Sequence, residues 1–269
     1  MHHNKQFSGS WAIILGGSSG FGLAAVEKLA SHGMNIAALY RETAASERAL
    51  KEKFAALASS FGVTIAAFNI NALDEASRNS FIESFIETTS KKNCVKLLLH
   101  SIARGNLKPL VSDTGDKQAV LSIEDIRLTT YAMATSLLDW TRDILHAGYF
   151  CEDARIIGLT SEGAHKYWDG YGAVSIAKSS LESLSTYMAV ELSKFGLKTN
   201  IIQAGVTETP SLKRIPGSEN LLKTGAERNP MGRMTKPEDV ANVIYLLCTA
   251  EAFWINGSLI HVDGGEHCK

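Results

Sequence analysis

Two hydrophobic periods alternate along this chain. Residues 11–15 are five apolar positions in a row, residues 16–22 are rich in glycine, and residues 23–32 repeat apolar positions at helical spacing up to Gly33. That sequence predicts a strand, a tight turn and a helix. The alternation then continues. Strands are predicted at 36–40, 64–70, 95–100, 154–160, 198–203 and 258–262. Helices are predicted at 46–61 (ended by Gly62), 75–89, about 123–145, about 171–195 and 237–248. Strands separated by helices of this length imply a parallel sheet covered on both faces, an α/β, doubly wound architecture. A chain of 269 residues can bury such a sheet as a single domain, here taken as 1–269.

Two stretches do not fit the alternation. Residues 108–122 are polar and include Asp113, Gly115 and Asp116, while residues 208–233 contain Pro210, Pro216 and Pro230. Loops this long inside a compact domain tend to be functional. The second follows the carboxyl end of a strand, where open α/β sheets bind ligands, so it predicts a substrate lid.

Composition narrows the class. Hydrophobic residues make up 45% and charged residues 20%, with a formal net charge of -1. Nothing in that balance calls for nucleic acid or an anionic membrane. No apolar run reaches the roughly 18 residues that span a bilayer, and no apolar signal core follows the first residues. A cytoplasmic protein is expected. Cys94, Cys151, Cys248 and Cys268 are far apart with no CxxC pair, so neither a metal site nor a disulfide framework is expected, and the thiols are taken as buried or incidental.

The chemistry begins at the first turn. Gly16, Gly20 and Gly22, placed after a strand and before a helix, allow backbone amides and a helix N-terminus to approach a pyrophosphate, the signature of a Rossmann-type dinucleotide site. Ser18, Ser19 and Phe21 fall in the same cradle, and either serine could instead cap the helix. A carboxylate at the end of the second strand would hold the ribose diol of NAD; this chain has Tyr40 and Arg41. Arg41 offers a planar fork to a 2′-phosphate, Arg48 could assist, and the cofactor favoured is NADPH over NADH. Both arginines could equally lie on a solvated face.

From Leu159 the chain reads Thr160-Ser161-Glu162-Gly163-Ala164-His165-Lys166-Tyr167-Trp168-Asp169-Gly170-Tyr171, and Lys178 follows seven residues later. Here it resembles the short-chain dehydrogenase/reductase family. Most of that family spaces its tyrosine and lysine four apart, but the position four before Lys178 is Val174, which has no proton to give. The Tyr171-x6-Lys178 spacing resembles the enoyl-acyl carrier protein reductase branch. Seven residues return to nearly the same helix face, about 10 Å along the axis.

The resemblance covers essentially the whole chain, to Val262-Asp263-Gly264-Gly265. It implies that Tyr171 is the acid, that Lys178 holds the nicotinamide ribose, and that Ser161 hydrogen-bonds substrate or only finishes the strand. His100-Ser101-Ile102-Ala103 looks like that branch's segment after the fourth strand, with Ser101, Ile102 and Ala103 packed on the cofactor and His100 structural. Gly205, Thr207 and Thr209 resemble the segment that contacts the nicotinamide carboxamide and pyrophosphate, although Val206 stands where proline is usual. Asn71 resembles the adenine contact, with Asn69 as the other register. Ser161 stands where a tyrosine is common in the branch; a serine there is found in the ketone-reducing branch and in an NADPH-dependent subgroup of enoyl reductases. Tyr167 and Trp168 are expected to wall the cleft or pack beneath it.

The expected activity is NADPH-dependent reduction of a trans-2-enoyl thioester, as in fatty acid biosynthesis. A 3-oxoacyl or other carbonyl reductase of the same family is the first alternative, and a non-catalytic nucleotide-binding sensor the second. The resemblance also implies a homotetramer. Lys213, Arg214, Lys223 and Arg228 could greet an acidic acyl carrier protein or simply be solvated.

Overall fold

The computed structural model describes residues 5–113, 115–116 and 118–269; residues 1–4, Thr114 and Lys117, which the readings of the whole chain and of 108–122 include, lie outside it. Seven strands form one sheet: β1 (Trp11–Leu15), β2 (Asn35–Tyr40), β3 (Ile65–Asn69), β4 (Val95–His100), β5 (Phe150–Thr160), β6 (Leu197–Ala204) and β7 (Leu259–Val262). Their order is β3-β2-β1-β4-β5-β6-β7 and every pairing is parallel. The order reverses between β1 and β4, which opens a crevice at the strands' carboxyl ends.

The pleat of each strand sends neighbours to opposite faces, so the sheet has two cores. On one face Ile14, Ile36, Ile157 and Ile202 pack with Ala25 and Leu29 of α1 (Gly20–Ser31), Phe54 of α2 (Ala44–Phe61) and Ile244 of α8 (Pro237–Cys248). On the other, Ile13, Leu39, Leu98 and Ile156 pack with Phe81 and Phe85 of α3 (Glu75–Thr89), Trp140 of α5 (Ser136–His146) and Leu181 of α6 (Gly172–Glu191). Among the described residues no helix is long and apolar enough to cross a membrane.

Three expectations change. The helix expected over 123–145 is α4 (Ile123–Thr130), a π-turn at Tyr131–Thr135, then α5. The helix expected over 171–195 starts at Gly172 and gives way after Glu191 to a 3-10 turn, Ser193–Phe195. Gly196 then turns the chain into β6 at φ 78°, where a Cβ would stand 1.8 Å from the Glu152 carbonyl oxygen, so no other residue fits. Segment 208–233 is not a bare loop: it contains a 3-10 turn, Leu212–Arg214, and α7 (Ser218–Arg228). Its polar composition and the Pro216-Gly217 pair conceal that helix, whose cap Gly217 takes φ 73°. Within 108–122 the described residues form no helix or strand. A Cβ on Gly172 would lie 3.2 Å from Leu110 and 3.5 Å from Leu121, so this stretch covers the start of α6.

Trp140 ties the second core to the crevice. It is fully buried, and its indole Nε1 donates to the Ala72 carbonyl at 2.8 Å, beside Asn71. Trp140→Ala should cost about 3–5 kcal/mol of unfolding free energy, from a cavity plus a stranded carbonyl. Trp140→Phe should recover most of it. Denaturant titration checks this, and a Trp140→Ala loss below about 1 kcal/mol would show that the site collapses around the gap.

Candidate active site

The crevice is a cavity of about 500 Å³ running over the carboxyl ends of the strands. At one end Gly16 takes φ 90° and lies so close to β4's exit that a Cβ would meet the Ser101 carbonyl oxygen at 2.5 Å. Ser18, Ser19, Gly20 and Phe21 line the cavity. Ser19 occupies the N-cap of α1 but its side chain caps nothing, which frees its hydroxyl and leaves the positive helix end facing the cleft. Gly22 is a correction. It does not line the cavity; it is buried where a Cβ would fall 2.0 Å from the Gly16 carbonyl oxygen, so it lets α1 press on the turn.

At the end of β2, Tyr40 and Arg41 both line the cleft. The Tyr40 hydroxyl is buried without a hydrogen-bond partner among the described residues, and burial together with Glu47 pushes its pKa up. Arg41 is exposed to the cleft, whereas Arg48 lies outside it. Asn71 lines the cleft. Asn69 does not: it donates to the Glu42 carbonyl and the Glu47 carboxylate, both at 3.0 Å, and so fixes the turn after β2. Of the two asparagines, Asn71 is the one that faces the cavity.

Ser101, Ile102 and Ala103 line the middle of the cavity. His100 sits behind them, 1% exposed, with Nε2 at 2.9 Å from the Ser136 hydroxyl. Burial first, and the Lys178 charge second, lower its pKa to about 3, so the ring is neutral. That is a structural role.

Tyr171 is the N-cap of α6, not a residue within it, and Lys178 lies two turns on. Both line the cavity, as does Val174. The Tyr171 hydroxyl donates to the Ser161 Oγ at 3.2 Å. Burial raises the phenol's pKa and the Ser161 contact only partly offsets it, so the group stays protonated. Lys178 Nζ donates to the Leu159 carbonyl at 2.7 Å, and burial lowers its pKa to about 8. Gly205, Thr207 and Thr209 line the neighbouring wall. The Thr207 hydroxyl donates to the Gly205 carbonyl at 2.9 Å, and the Thr209 side chain packs on the Gly20 turn.

A family model described as enoyl-(acyl carrier protein) reductase matches residues 16–267. The chain belongs to that family, a branch of the short-chain dehydrogenases/reductases. The enoyl-[acyl-carrier-protein] reductase [NADH] FabI of Aquifex aeolicus is 29% identical over 221 residues, 81% of this chain and 77% of that protein. The 3-oxoacyl-[acyl-carrier-protein] reductase FabG of the same organism is 26% identical over 97% of this chain and 98% of its own length. The Bacillus cereus enoyl-acyl carrier protein reductase, solved with NADP+ and an indole naphthyridinone, superposes with a TM-score of 0.84 at 24% identity, covering 98% of each chain, a likeness of fold.

In this family member Tyr171 is held by contacts that spacing alone does not reveal. The Tyr171 ring lies against Gly163, where a Cβ would sit 2.4 Å from Cε1 and 3.2 Å from the Trp168 ring. Trp168 lines the cleft while Tyr167 is 88% exposed and does not wall it. Arg228, at the end of α7, bonds Glu162 at 2.8 Å, lies 3.5 Å from Glu266 and stands over the Trp168 ring. It is therefore a clamp and not a free docking cation. Lys213 likewise pairs with Glu208 at 2.8 Å, and Lys223 lies outside the cleft. Glu266 accepts the Val206 N–H at 3.0 Å, and its burial raises its pKa. Nothing in the sequence announced Gly163, Arg228 or Glu266 as supports of Tyr171.

Gly163→Ala should displace the Tyr171 ring. A shift of a few tenths of an ångström to 1 Å in a reacting group costs about tenfold to a hundredfold in rate. The kcat should fall by that factor, with nucleotide affinity by fluorescence titration within about twofold of wild type. A parallel loss of nucleotide affinity would mean that the turn is merely misfolded.

Proposed function

We propose that this reductase uses NADPH to saturate the carbon–carbon double bond of a trans-2-enoyl thioester. The observation that carries the proposal is a half-buried, protonated phenol, Tyr171, set two turns ahead of Lys178 in one cleft, with apolar Val174 in the place one turn ahead. The residues fit a dinucleotide. Glycine cradles that a Cβ would fill, a bare helix N-terminus, the unpartnered Tyr40 hydroxyl and the free Arg41 line one continuous cavity. When bound, the nicotinamide would supply hydride to the β-carbon, leaving charge on the thioester oxygen.

Tyr171 then donates to that oxygen, several bonds from the carbon that gains hydride, which suits an acid standing one turn farther out than in a ketone reductase. Lys178 spends one N–H on Leu159 and keeps its others for the ribose, while its charge favours the developing enolate. Residues 208–233 act as the lid, anchored by Arg228. The single domain 1–269 works in the cytoplasm, on acyl groups of fatty acid synthesis delivered by acyl carrier protein. It works as a homotetramer whose helix contacts use the exposed Ile176, Tyr187 and Val190 of α6.

The 3.2 Å pairing of Ser161 with Tyr171 favours one second reading, reduction of a 3-oxoacyl thioester. Supplying NADPH with 2-enoyl or 3-oxoacyl thioesters of equal chain length, and following loss of reduced-nicotinamide absorbance, separates the two. Turnover of the ketone alone would replace the proposal. Tyr171→Phe should lower kcat by about a hundredfold or more, the size of one acid–base contribution, with NADPH affinity nearly intact. Because Lys178 is cationic only below about pH 8, kcat/KM should fall as pH rises through that value; a flat profile to pH 10 would remove the charge from the mechanism. Arg41→Ala should raise the KM for NADPH about tenfold while sparing NADH; equal effects on both cofactors would contradict the phosphate role.

A further inference from the structure

Beyond the phenol, the cleft has a set of apolar lining residues and two cations without a counter-ion among the described residues. Leu107, Met133, Leu212, Ile215 and Leu221 line this part. The acids around it are committed: Glu162 to Lys166 and Arg228, Asp263 to His267, and Glu266 to the Val206 amide and Arg228. The remaining acid of the lining, Glu42, follows β2 at the opposite, nucleotide end. Arg104 and Arg214 both line the cavity, both are exposed, and neither guanidinium has a hydrogen bond or ion pair among the described residues.

Arg104 precedes Gly105, which is packed so tightly that a Cβ would meet Thr129 at 2.8 Å and Val174 at 2.9 Å. Val174 is within one turn of Tyr171, so Arg104 belongs to the phenol end of the cleft. Arg214 closes the 3-10 turn Leu212–Arg214, whose first residue Leu212 and the following Ile215 line the same cavity. A single solvated arginine needs no explanation. Two unpaired guanidiniums in the same lining as Leu107, Met133, Leu212, Ile215 and Leu221 describe a receptor for a long apolar chain that carries an anion.

We infer that Arg104 and Arg214 form an oxyanion subsite, taking a phosphate or carboxylate borne by the acyl substrate. The inference rests on the thioester reading above, because the thioester itself is neutral and the charge must come from its carrier arm or from the far end of its chain. A guanidinium fork matches either oxyanion in two-point contact, and exposed forks lose little hydration before the ligand arrives.

Three trans-2-enoyl thioesters with one acyl core test it: the neutral pantetheine thioester, its 4′-phosphopantetheine counterpart, and a pantetheine thioester whose acyl chain ends in a carboxylate. One anionic form should exceed the neutral one in kcat/KM by about tenfold or more, the size of a charge-assisted contact, chiefly through KM. The form that gains identifies the source of the anion. Arg104→Gln with Arg214→Gln should bring that ratio close to one, and the double lysine variant should restore part of it. A ratio near one in the wild type, or a ratio that survives the double glutamine change, overturns the subsite and leaves thioester reduction standing. Absence of turnover with all three thioesters, with NADPH or NADH, overturns both.

Discussion

Three backbones meet with no side chain between them, and the rest of the molecule is arranged around that meeting. Gly16, the first turn of α1 at Gly22, and the exit of β4 at Ser101 approach within distances that a single methyl group would violate. Because the approach is backbone to backbone, α1 enters the crevice end-on, its uncapped amides facing the cavity floor. The reversal of strand order between β1 and β4 makes room for it. A side chain at either glycine would separate helix from sheet and lose the nucleotide end of the cavity and the packing of the first core together.

Burial acts in opposite directions on the two polar groups of α6. It raises the phenol of Tyr171, whose charged form is an anion, and lowers the ammonium of Lys178, whose charged form is a cation. One low-dielectric wall therefore prepares a neutral proton donor and an ammonium poised near neutrality. Ser161 and the Leu159 carbonyl, at the end of β5, fix where each group points. The sheet supplies direction and the helix supplies spacing.

What could be read from the chain alone follows the distinction between local and assembled features. The strand–turn–helix rhythm, the glycine cradle and the Tyr171-to-Lys178 interval are local, and each lies in the structure close to where its period places it. The phase break between α4 and α5 was invisible, because residues 123–145 keep an apolar pattern through it. α7 was hidden by Pro216, Gly217 and a polar surface with only Ser218 and Gly225 buried. Gly22 was misassigned because its glycine requirement arises from a carbonyl behind it. Arg228, read as either a docking cation or a solvated one, was not seen as a clamp because Glu162 and Glu266, its partners, are distant in sequence. Charge near a cleft says little until its counter-ions are known.

The π-turn at Tyr131–Thr135 makes one helix out of two phases. Its extra residue lets Met133 face the cleft while Ser136, just beyond, reaches His100 beneath the floor. Losing one residue there would restore an unbroken α-helix and rotate everything on one side of it by about 100° relative to the other. Trp140 is anchored in the second core and α4 is tied to the start of the 108–122 stretch, so the rotation could not be shared evenly. The helix thus works as a spacer of fixed count, and a deletion of one codon at this point would alter the shape of the pocket while every residue now lining it remained encoded.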